Sequence, residues 1–445
     1  MKFKILTGLL TGLVVSASTT ALFCQPSRAG NHSFLCNGTL KYISTGILNG
    51  EPVFNQGIPI NTSLRLLASA QVDVGVKIPS ASAAAELKAE DFFIQGEEKY
   101  EKGDYQGAVA AYDRAIALNP NYAEAYNGRG LARYRLGDHK GAVADYNEAV
   151  RINPKYAEAY TNRGNARDDS GDSQGALADY SEALRIDPDS ASTYYNRGVT
   201  RSRLGDNKGA VADYSEAVRI EPNYASAYNN RGIVRSELGD NKGALADFNE
   251  ALRINPNDAG TYLNRGNIRS RLGDRKGAVA DYNEAVRINP NFALAYYNRG
   301  NIRYVSGDNQ GAVADYNEAV RINPKYAEAY INRGNARDDL GDSQGALADY
   351  SEALRINPNL AFAYLNRGVT RFRLGDSQGA LADYSEALRI NPKYAGAYLR
   401  RGIARAELGE KPGAMQDFQK AADLFQQQGD KDNYERAMNN LRKLQ

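Results

Sequence analysis

Residues 123–156 read AEAYNGRGLARYRLGDHKGAVADYNEAVRINPKY, and this stretch decides the fold class. Tyr126, Gly130 and Arg133 fall three or four residues apart, the spacing of neighbours on one face of a helix. Ala142, Tyr146 and Ala149 do the same farther along. Between the two faces lies Leu136-Gly137-Asp138. Glycine enters the left-handed backbone region that ends a helix at little steric cost, and an aspartate just after it can cap the next helix. Asn153-Pro154 closes the second helix, because proline disfavours helical geometry in the residue before it. Gly130, Ala142 and Ala149 are small where two antiparallel helices must approach closely. The stretch is a predicted helix hairpin of 34 residues with an aromatic side chain on each helix.

The hairpin recurs. Nine of the 14 prolines stand 34 residues apart: Pro120, Pro154, Pro188, Pro222, Pro256, Pro290, Pro324, Pro358 and Pro392. Three glycines return in each period, from Gly96, Gly103 and Gly107 to Gly402, Gly409 and Gly413, which accounts for 30 of the 42. A fixed period of this length means stacked helix pairs that bury a shared core, so one elongated array replaces the three domains that 445 residues would otherwise suggest. Placing each proline at position 32 gives ten units over 89–428, the tenth with Gln426 in the proline slot.

This pattern resembles the tetratricopeptide repeat (TPR) family, which has an aromatic residue at position 4, Gly at 8, Ala at 20, an aromatic at 24, Ala at 27 and Pro at 32. Tyr126, Gly130, Ala142, Tyr146, Ala149 and Pro154 match one for one. The resemblance implies an all-α, right-handed superhelical solenoid of antiparallel helix hairpins. It also implies that the first helices line a concave surface through positions 2, 5, 6, 9, 12 and 13. This chain departs from the family pattern in a regular way. Position 4 is tyrosine where the family prefers tryptophan, and positions 7 and 11 are arginine in most units, as at Arg163 and Arg167.

Position 23 is aspartate in units two to ten, from Asp145 to Asp417. Opposite charges that recur together beside core positions point to pairing between one of the two arginines and this aspartate. Charge is thereby balanced inside each repeat, consistent with 55 Lys+Arg against 53 Asp+Glu. Such a balance argues against nucleic-acid binding through overall charge.

At the amino terminus, Met1-Lys2-Phe3-Lys4 precedes an apolar stretch from Ile5 to about Ala17, then small and polar residues up to Ser27-Arg28-Ala29. This is a secretory signal layout with a cut after Ala29. An uncleaved membrane anchor over Ile5–Phe23 is the alternative, and Cys24 raises a lipoprotein cut that Phe23 disfavours. Cleavage after Ala29 would leave Cys36 as a lone thiol. Residues 30–88 are compatible with a linker, a small strand pair or an ill-ordered spacer. Residues 429–445 break the repeat; Asp430 can cap a helix in which Tyr434, Met438, Leu441 and Leu444 share a face, as expected of a helix that covers the last unit.

No catalytic, cofactor-binding or metal-binding set emerges. Gly171-Asp172-Ser173-Gln174-Gly175 has the form of a nucleophile elbow, repeated around Ser343 and Ser377, but the elbow needs a preceding strand and a histidine. Here the turn joins two helices, sister units fill the slot with other residues, and the chain has only His32 and His139. Asp168, Asp169 and Asp172 miss the spacing of a calcium loop.

The face implied by the resemblance carries asparagine at position 6 in seven successive units: Asn162, Asn196, Asn230, Asn264, Asn298, Asn332 and Asn366. A side-chain amide both donates and accepts, so a row of them can hold an extended backbone whatever its side chains. The row is similar to the asparagine ladder of O-GlcNAc transferase and to one element of chaperone-tail carboxylate clamps. The remaining clamp positions do not match. Residues 140–188 and 310–358 are nearly identical at an offset of 170, so duplication alone would also copy the row. Position 13 varies in charge (Arg135, Asp169, Arg203, Glu237, Arg271, Val305, Asp339, Arg373) and position 5 in type (including Tyr195 and Tyr297).

The sequence therefore predicts a non-enzymatic interaction scaffold of exported bacterial, cyanobacterial-like type, in the periplasm or cell envelope or secreted. It needs no cofactor, binds a protein or peptide partner and not nucleic acid, and touches a membrane only through an uncleaved amino-terminal anchor. The alternatives are a self-associating structural solenoid and the targeting subunit of a separate enzyme.

Overall fold

The computed structural model describes residues 88–445 and two short strands, Ile47–Leu48 and Glu51–Pro52, paired antiparallel with Ile47 opposite Pro52. The signal layout of residues 1–29, Cys24 and Cys36 lie outside the described residues, as does the remainder of 30–87.

Helix boundaries follow the predicted register. Ala123–Arg135 and His139–Ile152 are helical, and their lengths of 13 and 14 residues recur in the next repeat as Ala157–Asp169 and Ser173–Ile186. The chain divides between Thr261 and Tyr262 into two compact units. In the unit ending at Thr261, five hairpins run from Ala89–Glu101 to Asn241–Ile254. In the unit from Tyr262 onward, four complete hairpins run from Ala293–Val305 to Lys411–Gln427, and Lys431–Arg442 follows. The helix Ala259–Arg271 straddles the division, with Arg275–Ile288 after it. Each unit is an all-α solenoid of helix hairpins in which successive helices pack against one another.

The turn inside a repeat explains its glycine and aspartate. Gly137 adopts φ +83°, which a residue with a Cβ rarely tolerates. The Gly137 N–H donates to the Tyr134 carbonyl at 3.0 Å and the Asp138 N–H to the Arg133 carbonyl at 2.9 Å, which satisfies the end of the first helix. The second helix then begins with Asp138 Oδ1 accepting from the Gly141 N–H at 2.9 Å. Where position 32 is Gln426 instead of proline, the second helix runs on to Gln427 and reaches 17 residues.

Within a hairpin, the second-helix aromatic fills the space left by the first-helix glycine. A Cβ at Gly130 would lie 2.6 Å from Tyr146 Cε1, so the two backbones approach only because position 8 has no side chain. Tyr146 is buried there with Ala142 and Ala166. At the carboxyl end, Asp430 caps the helix Lys431–Arg442, accepting from the Asn433 N–H at 3.1 Å. Ala437 and Leu441 are buried against Phe418 and Phe425, with Tyr434, Met438 and Leu444 packed around them. Among the described residues, no helix is long and apolar enough to cross a membrane, and no group of His, Cys, Asp and Glu could hold a metal ion.

Candidate functional site

The first helices are tied down by their arginines, more tightly than the one-to-one pairing expected from the sequence. Both arginines of each repeat converge on one aspartate. Arg231 donates Nε to Asp247 Oδ2 at 3.0 Å and Nη2 to Oδ1 at 2.7 Å, while Arg235 Nη1 donates to Oδ2 at 2.8 Å. The same arrangement holds from Arg129 and Arg133 on Asp145 through Arg401 and Arg405 on Asp417, nine times in all. Positions 7 and 11 lie one helical turn apart, and a carboxylate has lone pairs enough for a bidentate fork plus a third donor. Arg231 also lies over the Tyr228 ring at 5.3 Å and donates Nη1 to Ser215 Oγ of the preceding repeat at 3.1 Å. One guanidinium thus joins both helices of its own hairpin to the hairpin before it.

The asparagine row is anchored in a second way. Asn196, Asn298, Asn332 and Asn366 each donate Nδ2 to an asparagine 31 residues earlier, at Asn165, Asn267, Asn301 and Asn335, over 2.9–3.0 Å. Where that earlier position is apolar, the row reaches 35 residues back: Asn162 donates to Asn127 Oδ1 at 3.1 Å, past Leu131, and Asn230 to the Tyr195 hydroxyl at 3.0 Å, past Val199. Asn264 occupies the same position in Ala259–Arg271. The amide expected to both donate and accept toward a ligand has therefore committed its donor to the neighbouring repeat in these six positions.

The position-9 acceptors were not singled out from the sequence. Asn165, Asn267, Asn301 and Asn335 each accept a second hydrogen bond, from Tyr180, Tyr282, Tyr316 and Tyr350 at 2.8 Å. Their signal was an asparagine recurring 31 residues before a member of the row.

Position 5 requires a correction. Tyr297 was expected on the wall of a ligand-binding face, yet it is only 3% exposed and packs against Tyr316 and Tyr326 with ring centroids 6.0 and 4.8 Å away. Tyr195 is half-buried in the equivalent stack with Tyr214 and Tyr224. Leu263, Ile331 and Leu365 are buried as well. The position holds the repeats together because its large side chains point into the seam between hairpins, where burial of apolar area is the stronger demand.

The charges of position 13 meet partners in adjacent repeats. Arg203 pairs with Asp168, and Arg373 with Asp338, each also donating to a serine hydroxyl (Ser173 at 3.1 Å, Ser343 at 3.0 Å). Arg135 Nε donates to the Tyr100 hydroxyl at 3.1 Å. Arg271 is half-buried, and burial pushes its guanidinium below the usual arginine range. Ser173 and Ser343 thus begin helices with their hydroxyls engaged by arginine, and His139 stands edge-on to Tyr134 at 5.1 Å.

Acid gathers on the first helices of the amino-terminal repeats. Burial pushes the Glu97 carboxyl above the usual glutamate range, a hydrogen bond from the Tyr112 hydroxyl opposes it, and Glu158 and Glu101 push it further up. A raised folded-state value contributes stability that is present below the unfolded value, near 4.5, and is lost as pH rises through the folded value. Glu97→Gln is therefore expected to raise the melting temperature at neutral pH, with the gain shrinking to nothing below about pH 4. A gain that persists unchanged into acid would show that the charge is not its source.

Two models of the same repeat family match the chain. The one described as TPR repeat matches residues 96–137, 132–171, 164–205, 201–239, 266–307 and 300–341. The one described as tetratricopeptide repeat matches 225–258, 327–360 and 361–394. Among solved structures, the chain is similar to YrrB, described as a TPR protein with an unusual peptide-binding site (24% identity over 43% of this chain and 97% of that one, TM-score 0.38). It is also similar to a tetratricopeptide repeat protein from Parabacteroides merdae (22% identity, 56% and 98% covered, TM-score 0.42) and to yeast Tom70 (15% identity, 79% and 95% covered, TM-score 0.38). No curated protein matches the chain.

Proposed function

Because this chain belongs to the tetratricopeptide repeat family, we propose that it is a protein-interaction scaffold whose first-helix face holds an extended segment of a partner protein. The observation that carries the reading is the anchored asparagine row. With Nδ2 held by the preceding repeat, each side chain presents a fixed Oδ1 acceptor, and a peptide backbone supplies N–H donors whatever its sequence. Acceptors already held in place spare the ligand complex the entropy of ordering them. Several such contacts along one segment add when the segment spans them. The layout of Met1–Ala29 supports an exported protein of the periplasm or envelope, and the reading is of a binding protein without a reaction centre.

The test is capture from a peptide array by the full chain, repeated with Asn332→Ala/Asn366→Ala. Two lost acceptors at about 1 kcal/mol each weaken capture of the peptides by roughly tenfold to thirtyfold. Unchanged capture of every peptide would remove the asparagine row from the site.

A further inference from the structure

Position 6 breaks its own rule once. In the tenth repeat the residue is Arg400, and the two places that serve every donor described above, 31 and 35 residues earlier, are Val369 and Leu365. Neither can accept a hydrogen bond. Arg400 is half-buried and, among the described residues, makes no hydrogen bond, ion pair or ring contact. Its adjacent arginine, Arg401, is by contrast locked onto Asp417. The nearest charge of consequence to Arg400 is another cation, Arg436 on the terminal helix, which is exposed and equally without a partner. Burial and Arg436, acting against the Tyr384 phenol, hold the Arg400 guanidinium below the usual arginine range.

A half-buried guanidinium with no acceptor, facing a like charge, is costly unless something satisfies it. Around it the partly buried side chains are apolar: Val369 and Phe372 from the ninth repeat, Ile403 from the tenth, Met438 from the terminal helix. We infer that Arg400 and Arg436 form a carboxylate-binding subsite, and that its occupant is an aspartate or glutamate side chain of the captured segment, flanked by an apolar residue. The charge complementarity selects an acidic ligand, and the apolar surroundings select its neighbour in sequence. Guanidinium is suited to the task because its fork matches the two carboxylate oxygens. The inference rests on the proposed peptide-holding function and names the chemistry that one end of the ligand must carry.

The experiment uses the full chain and fluorescein-labelled peptides in which glutamate alternates with leucine, amidated at the carboxyl terminus. A matched peptide with glutamine for glutamate and a free-acid version of that neutral peptide complete the set, read by fluorescence anisotropy. The amidated acidic peptide is expected to bind at least roughly tenfold tighter than its neutral counterpart, and Arg400→Asn to abolish the difference. Arg436→Gln, a change at an exposed position, is expected to reduce the difference several-fold without disturbing the fold. Equal binding of acidic and neutral peptides, or a preference that survives Arg400→Asn, would overturn the subsite while leaving the scaffold reading standing. Tight binding by the neutral free acid alone would make the occupant a chain terminus and refute the side-chain assignment. Failure of the whole set, together with an empty peptide array, would instead count against the scaffold reading itself.

Discussion

Asp247→Ala is expected to cost about 3–5 kcal/mol, the loss that follows when one partner of a buried ion pair is removed. Asp247 is 2% exposed and is the carboxylate on which Arg231 and Arg235 both close. Its removal leaves two partly buried guanidinium groups without a counter-charge, and that orphaning sets the magnitude, more than the attraction lost. The contrast is a triple variant, Arg231→Met/Asp247→Leu/Arg235→Leu, which replaces the whole set by apolar side chains. It is expected to be close to neutral, because desolvating three charges offsets much of what their pairing returns. Repeat arrays can unfold in sections, so the readout is local: amide hydrogen exchange within Ala225–Glu237 and Asn241–Ile254, compared with distant repeats. A loss below about 1 kcal/mol in the single variant would place the cluster with solvent-exposed pairs and remove it as the brace of the hairpin.

Tyr316→Ala is expected to be as damaging by a different route. The ring is fully buried and lies against Gly300, where a Cβ would stand 2.8 Å from Tyr316 Cε1. Deleting it opens a cavity between two helices that cannot collapse onto a side chain, because glycine offers none. Large aromatic deletions of this kind cost about 3–5 kcal/mol. Tyr316→Phe isolates the hydroxyl, which donates to Asn301 Oδ1 at 2.8 Å; Asn301 Oδ1 in turn accepts from Asn332. That variant is expected to lose about 1 kcal/mol. Urea unfolding of both variants separates the two contributions. Equal losses in the two would mean that the hydroxyl network, not the ring, carries the stability.

The order of the helices was legible because each punctuation residue acts locally. Gly137 ends a helix through its own backbone and Asp138 starts one through its own carboxylate, so a single sequence sufficed to place both. The arginine clusters were half legible. Opposite charges recurring at positions 7, 11 and 23 announced a pairing, but sequence spacing does not count how many donors one carboxylate receives. Position 5 was misread because tyrosine, leucine and isoleucine suit a ligand-facing wall and a buried seam equally well. Only packing distinguishes the two, as Tyr297 between Tyr316 and Tyr326 shows. The asparagine row was read correctly as a row and incompletely as chemistry. Its donors are matched to acceptors 31 or 35 residues earlier, a relation between repeats that a repeat-by-repeat reading passes over. The same relation is what makes Arg400 stand out, since only there do both earlier positions fail to accept.

The central claim is that ligand is held on the first-helix face. Amide hydrogen exchange on the full chain, with and without a saturating array-selected peptide, tests it most directly. The account predicts that added protection concentrates in first helices such as Ala293–Val305, Ala327–Asp339 and Ala361–Arg373. Protection concentrated instead in the second helices, such as Asn309–Ile322 and Ser343–Ile356, would contradict it.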